Sequence, residues 1–176
     1  MTDQQIKQAI AALPATKRLI ASGIADNLTG RPATFEALTG NLKTPTRDII
    51  NKALKAGALK DTGPGKTSKG RWVPAYVETP LYVDCEEFLL NFGNMPTFHQ
   101  VKILHALSGL VLMTAAEVIE KTGVKNHVFA KACKQMQGLY IFRSKAGKSV
   151  LWSIQWEGVT MLKTFMALEK YFEIPA

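Results

Sequence analysis

Apolar residues recur at every third or fourth position in three stretches of the first third of the chain, a spacing that predicts helices. These stretches are residues 2–25, 32–40 and 45–56. Pro14 lies inside the first stretch, and we expect it to interrupt that helix because proline has no amide hydrogen to donate. Thr44 and Pro45 suit the start of the third helix, as a capping hydroxyl followed by proline at the first helical position.

The pattern then changes from helical spacing to short extended segments. Residues 58–60 and 71–77 read as strands, and residues 61–70 (DTGPGKTSKG) form a polar stretch of turn-forming residues between them. A further helix is expected over residues 83–92, where Asp84 and Glu87 have the spacing of a capping box.

The same order recurs in the second half. Helices are predicted at 97–107, 114–121 and 125–137, strands at 139–142 and 149–156, a basic turn at 143–148, and a last amphipathic helix at 158–172. The predicted fold class is therefore mainly α with small β-hairpins, an α+β chain whose order of elements occurs twice.

Composition supports a packed, globular chain. Of the 176 residues, 47% are hydrophobic and 20% are charged, so there is enough apolar material for a core. No apolar run reaches the roughly 18 residues of a membrane span, and no secretory signal is evident, so we expect a cytoplasmic protein, associated with the nucleoid if it is bacterial. Cys85 and Cys133 are expected to be buried, reduced thiols.

The positive charge is concentrated in two windows. The formal net charge is +8, yet residues 43–71 carry eight Lys and Arg against two acids, and residues 121–148 carry seven against none. Two basic windows separated by an acidic middle indicate a duplicated element that binds a polyanion.

The order helix, turn, helix, strand, basic loop, strand resembles the winged-helix variant of the helix-turn-helix DNA-binding superfamily. It occurs over about residues 15–77 and again over 97–156. The segments FEALTGNLKTPTRDIINKALKAGAL and AAEVIEKTGVKNHVFAKACKQMQGL share the pattern, although few residues match. Each basic loop leads to a tryptophan, as KTSKGRW to Trp72 and KAGKSVLW to Trp152.

The resemblance implies two tandem winged-helix domains. Residues 1–77 would form the first with a leading helix, 78–96 an acidic linker helix, and 97–176 the second with a terminal amphipathic helix. The resemblance also implies that the second helix of each pair enters the major groove of double-stranded DNA while the hairpin, or wing, follows the backbone. The residues expected to contact DNA are Lys43, Thr44, Thr46, Arg47, Asn51, Lys52, Lys55, Lys66, Lys69, Arg71, Lys125, Asn126, His127, Lys131, Lys134, Arg143, Lys145 and Lys148.

The residue types suit this chemistry. Arginine can donate twice to guanine and asparagine can pair with adenine, whereas lysine and hydroxyl groups serve phosphates. Arg47, Asn51 and Lys55 follow one another at intervals of four and are expected to form one stripe. We expect the tryptophans to be strand core rather than stacking platforms, which disfavours single-stranded nucleic acid as the ligand.

Motifs for other functions are absent from the sequence. There is no CxxC pair, no HExxH and no complete phosphate loop, and the three histidines do not combine with cysteines at metal-ligand spacing. We therefore expect no enzyme activity, no cofactor and no metal site. The last helix suits packing within its own domain or against a second subunit better than a membrane.

Three functional hypotheses stay open at this point. The first is a sequence-specific transcriptional regulator, either monomeric or a homodimer through the terminal helices. The second is a replication-initiation, plasmid-maintenance or phage DNA-handling protein. The third is a winged-helix module that contacts a protein partner, because a fold does not fix a function.

Overall fold

The computed structural model describes residues 1–40, 42, 46–93, 95–109 and 111–172. Over these residues the chain is α+β, with most of it helical and with two small antiparallel three-stranded sheets. The chain divides into two compact units. The first unit comprises residues 7–95 and 170–176, and the second unit comprises residues 1–6 and 96–169.

The first unit alternates helices with the strands of one sheet. Its elements are α1 (Asp3–Ala21, whose first residues belong to the second unit), a 3₁₀ turn (Ala25–Asn27), β1 (Ala33–Thr34), α2 (Phe35–Thr39), α3 (Thr46–Lys55), β2 (Leu59–Lys66), β3 (Trp72–Glu78) and α4 (Pro80–Phe92). The strand order is β1-β3-β2, so β3 is central and β2 is an edge strand.

Proline does not interrupt the first helix, contrary to the expectation from Pro14. The helix runs unbroken from Asp3 to Ala21 with Pro14 inside it. Only one backbone hydrogen bond is lost at a proline, and buried Leu13 and Leu19 on either side anchor both halves of the helix in apolar surroundings.

The core of the first unit joins the helices to the sheet. Leu19, Leu38, Ile50 and Tyr82 are all at most 3% exposed and form one cluster. Because Tyr82 belongs to α4, the helix that we expected to act as a linker contributes to this core.

Helix α4 begins three residues earlier than predicted, and its cap is different. Thr79 precedes Pro80 and accepts a hydrogen bond from the Tyr82 amide, so the capping box expected at Asp84 is wrong. Asp84 instead accepts hydrogen bonds from Tyr171, at 2.6 Å, and Lys170, at 2.8 Å. These contacts hold the pKa of the Asp84 carboxyl below its usual value, first through the Lys170 hydrogen bond.

The first β-hairpin is longer than the sequence predicted. Most of the expected ten-residue loop belongs to β2, which pairs with β3 as far as Lys66 opposite Trp72. The register shifts at a bulge between Asp61 and Gly63, and Gly63 has a φ of 87°, which glycine adopts at little cost. Pro64 is tolerated because β2 is an edge strand.

The second unit repeats the element order of the first. Its elements are α5 (Phe98–Leu107), β4 (Met113–Thr114), α6 (Ala115–Thr122), α7 (Asn126–Met136), β5 (Ile141–Ala146), β6 (Ser149–Ile154) and α8 (Trp156–Met166), followed by a 3₁₀ turn (Ala167–Tyr171) whose last two residues belong to the first unit. The strand order is β4-β6-β5, which matches β1-β3-β2 of the first unit strand for strand.

Capping boxes fix the starts of two helices in this unit. The box predicted for Thr114 and Glu117 is confirmed, and a second one joins Thr97 to Gln100. In the first box the Glu117 carboxylate accepts from the Thr114 amide at 2.6 Å and from its hydroxyl at 2.8 Å. These bonds lower the pKa of Glu117.

The second hairpin is also longer than predicted. The basic turn expected at 143–148 is wrong for most of its length, because β5 continues to Ala146 and pairs with Ser149 of β6. Arg143 and Lys145 therefore lie on a strand. Helix α8 begins at Trp156, two residues before the predicted start. Gly158 in its first turn lies so close to the Tyr140 carbonyl that a side chain there would collide with it.

Cys85 and Cys133 are free thiols and both are buried, as expected. Burial raises the pKa of each thiol to about 12. Within the described residues, no helix is long and apolar enough to cross a membrane.

Candidate nucleic-acid interface

Helix α3 carries exposed polar residues into a cleft against the first hairpin. This hairpin-side cleft has a volume of about 480 Å³. It is lined by Phe35, Glu36, Arg47, Ile50, Asn51, Val73, Pro74 and Tyr76. Arg47 and Asn51 are one helical turn apart and both are exposed, so the structure brings these two predicted residues together.

Arg47 has a defined neighbour in this cleft. Its guanidinium carbon lies 5.8 Å from the centre of the Phe35 ring, within the range of a cation–π contact. Such a contact limits the rotamers of Arg47 but leaves its N–H groups able to donate hydrogen bonds to the edge of a base or to a phosphate. Glu36 lines the same cleft and is the one acidic residue among the described residues that line it.

The remaining cations of α3 face another cleft, formed with α1. This helix-side cleft of about 350 Å³ is lined by Arg18, Lys52 and Lys55 with Pro14 and small side chains around them. Arg47, Asn51 and Lys55 were expected to form one stripe, and this is wrong for Lys55, which lines the helix-side cleft. Each step of four residues turns about 40° around a helix, so eight residues turn about 80°.

Of the predicted first set, Thr46 is buried, Lys52 is paired with an acid, and two residues lie outside the described part of the chain. Thr46 is only 7% exposed, so its hydroxyl is not presented at the surface. Lys52 is exposed but forms an ion pair with Asp48 at 2.7 Å. Lys43 and Thr44 are outside the residues that the structure describes.

The first hairpin ends in a turn rich in cations. The Thr67 amide donates to the Arg71 carbonyl at 2.8 Å, and the Arg71 amide donates to the Thr67 hydroxyl at 3.1 Å. Lys66, Lys69 and Arg71 are all exposed around this turn. The predicted cluster of three basic residues thus lies at one end of the hairpin.

Trp72 does not lie in the core, contrary to expectation. It is 69% exposed at the first residue of β3. Trp152, its counterpart in the sequence comparison, is 9% exposed and fulfils the expectation. The strand registers separate the two, because Met113 pairs with Trp152 as Ala33 pairs with Tyr76, whereas Trp72 pairs with Lys66 at the turn end of its strand.

The second unit has an equivalent hairpin-side cleft of about 410 Å³. Asn126 and Lys134 of α7 and Gln137 at its C-terminal cap line it together with Arg143 and Trp152 of the second sheet. Arg143 is directly opposite Trp152 in the strand register, and its guanidinium carbon lies 5.9 Å from the indole.

Trp152 also joins this hairpin to α7. Its ring meets Phe129 edge-on with 5.9 Å between centroids. An edge-to-face pair of buried aromatic rings stabilises both partners beyond the surface area that they bury. The strand pair that carries Arg143 is therefore held firmly against α7.

The other predicted residues of α7 line a cleft with α5. His127 and Lys131 lie there with Thr97, His99 and Gln135, in a volume of about 400 Å³. Each unit thus has a helix between two clefts, with its polar side chains divided between them. Lys125 precedes α7 at the N-cap position and is exposed. Lys145 and Lys148 are exposed on the second hairpin.

Three features of these surfaces were absent from the sequence prediction. Arg18 lines the same cleft as Lys52 and Lys55, a juxtaposition that periodicity does not reveal. Trp72 and Phe142 are exposed aromatics on the two hairpins, with Phe142 at 52%. The alternation of Phe142 with buried Ile141 was a usable signal for its outward direction.

The exposed cations of these surfaces are suited to binding anions. Lysine and arginine side chains donate hydrogen bonds and accept none. Among the described residues, no three His, Cys, Asp or Glu side chains are grouped so as to hold a metal ion. Comparisons of the chain with protein-family models, curated proteins and solved structures found no match.

Proposed function

We propose that this protein binds double-stranded DNA through two tandem winged-helix modules, one in each unit. The observation that carries the proposal is the repeated order of strand, helix, helix and hairpin, in which the second helix and the hairpin line one cleft with exposed cations. A helix is of the right width for the major groove, and a basic hairpin beside it can follow the phosphate backbone.

The placement of the side chains supports separate roles, with base contacts in the clefts and phosphate contacts on the hairpin. Arg47 and Asn51 are the residue types that read guanine and adenine, and they lie one turn apart on α3. Lys134 and Arg143 occupy the corresponding cleft of the second unit. The hairpin cations Lys145 and Lys148 supply phosphate contacts that carry no sequence information.

Within DNA binding, the pairing of Arg47 with Asn51 favours a sequence-specific regulator. A protein that only coats or organises DNA needs phosphate contacts, whereas an arginine and an asparagine in one groove-facing cleft are suited to base edges. A role in replication, plasmid maintenance or phage DNA handling would use the same surfaces with less preference between sequences.

The test is equilibrium binding to labelled duplexes over a series of salt concentrations. About six phosphate contacts give a log–log slope of roughly −5, and a specific regulator prefers its selected site over random duplex by about a thousandfold or more. Salt-dependent binding without that preference would favour the DNA-handling role. Absence of binding at low salt would refute DNA binding and leave the protein-interaction module.

A further inference from the structure

Trp72 is a largely exposed indole at the first residue of β3. It is 69% exposed, whereas burial of a tryptophan would remove about 150–250 Å² of surface from water. Further along β3, Ala75 is buried and Tyr76 packs against the core cluster, so the packed part of this strand lies away from Trp72. The indole therefore adds little to the stability of the folded chain.

Cations surround this indole on the hairpin. Lys66 is directly opposite Trp72 in the strand register, Arg71 precedes it in sequence, and Lys69 lies in the turn. Residues 62–77 contain no acid, so no carboxylate of this segment neutralises the three charges.

The turn holds these groups in a fixed relation. Besides the two bonds between Thr67 and Arg71, the Gly70 amide donates to the Thr67 carbonyl at 2.9 Å. Gly70 has a φ of 76°, which favours glycine at this position. The backbone that carries the ring and the three cations is therefore already ordered, so a ligand would have to order only their side chains.

We propose that Trp72 stacks on an unpaired base of single-stranded DNA while Lys66, Lys69 and Arg71 bind the adjoining phosphates. An aromatic ring beside a cationic track is the usual means of holding single strands, because every base has a face on which a ring can stack. In an intact duplex those faces are covered by neighbouring base pairs. The inference rests on the proposed function and makes it narrower: the preferred ligand is a duplex that continues into a single strand.

The second hairpin lacks this arrangement at its turn. Its last strand pair is Ala146 with Ser149, and the exposed Phe142 lies at the opposite end of β5, paired with Ser153. The first hairpin is thus the one suited to the single strand. A membrane surface is a weaker match, because interfacial binding requires a broad apolar face rather than one indole among lysines.

The experiment has a fluorescence arm and a binding arm. The chain has three tryptophans, and Trp152 is buried, so a Trp156→Phe background leaves Trp72 as the exposed emitter. Titration with a short dT oligonucleotide is expected to quench this emission. In the binding arm, anisotropy compares a blunt duplex with the same duplex carrying a single-stranded dT tail.

Trp72→Ala is expected to weaken binding of the tailed duplex by about tenfold, with the blunt duplex changed by less than about twofold. Trp72→Phe retains a ring and should keep most of the preference. Trp156→Ala is the matched control, because Trp156 is 76% exposed but precedes Glu157 on α8 and lies outside the basic hairpins. It should leave both affinities unchanged.

Two results would overturn the inference. One is an equal loss for tailed and blunt duplexes in Trp72→Ala, which would make Trp72 an ordinary part of the wing. The other is emission that dT does not quench but that shifts to the blue with anionic vesicles, which would indicate a lipid surface. Failure of the unaltered protein to bind blunt duplex would refute the proposed function, whereas quenching by dT is measured independently of it.

Discussion

Lys145 and Lys148 lie at the end of the second hairpin, where their charges can be removed without disturbing the core. Both are exposed. The exposed cations on α7, at its cap and on this hairpin are Lys125, Lys131, Lys134, Arg143, Lys145 and Lys148. Among the described residues, the ion pairs involve none of these six.

The expected magnitude follows from counterion release. Each phosphate contact contributes about −0.9 to the slope of log affinity against log salt concentration. Removal of two contacts in Lys145→Ala/Lys148→Ala should therefore make the slope shallower by about 1.8. Between about 50 and 200 mM salt, the affinity of the unaltered protein would fall about twelvefold more than that of the variant.

The assay is fluorescence anisotropy with one duplex at four or more salt concentrations. Lys17→Ala/Lys163→Ala removes the same charge from exposed positions on α1 and α8 and serves as the matched control. If the salt-dependence slope changed as much in the control variant as in the hairpin variant, only net charge would matter. An unchanged slope in the hairpin variant would refute phosphate contact by this wing.

Three further predictions concern single side chains. Arg47→Ala should cost roughly 1–3 kcal/mol at a selected site and less on random duplex, measured by competition. Gly158→Ala should destabilise the protein by roughly 1–3 kcal/mol in urea because the new methyl group meets backbone, whereas Gly109→Ala meets only ordinary contacts. Glu117→Gln should make the free energy of unfolding less dependent on pH in the acid range. Because folding lowers the pKa of Glu117, its carboxylate stabilises the folded chain above the unfolded pKa of about 4.3, and this stabilisation is lost as the pH falls through the folded pKa.

Each of these has a clear contrary result. Equal weakening of all duplexes by Arg47→Ala would make Arg47 a phosphate contact. Equal urea midpoints for the two glycine variants would contradict the close approach at Gly158. For Glu117→Gln, unfolding is measured between about pH 5 and pH 3. Glutamine can form the same capping box, as Gln100 does with Thr97, so the variant should keep the cap and lose only the titrating group. If the stability of the variant fell with pH as steeply as that of the unaltered protein, Glu117 would not be the cause.

Local signals in the sequence were sufficient for the order of helices and for some of their caps. The apolar stripe of α7 and the Thr114 capping box are set by residues within one or two turns of each other, so spacing identifies them. The strands β1 and β4 were missed because two residues are too few to show alternation.

Features that depend on distant residues could not be predicted. The segment around Gly63 and Pro64 has the composition of a loop, and only its pairing with β3 makes it a strand. Trp72 and Trp152 follow similar basic segments, yet Trp72 is 69% exposed, whereas Trp152 is 9% exposed and packs against Phe129 of a neighbouring helix. The same limit applies to Arg18, which tertiary structure places in one cleft with Lys52 and Lys55 of α3.

The most direct test of DNA binding by both units is a map of backbone amide chemical shifts during titration with a duplex of about two helical turns. The proposal predicts shifts in α3, α7 and both hairpins, centred on Arg47, Asn51, Lys134 and Arg143. Shifts confined to the exposed apolar positions of α4, such as Leu90, would contradict it and favour a protein partner. No shifts in low salt would contradict it outright.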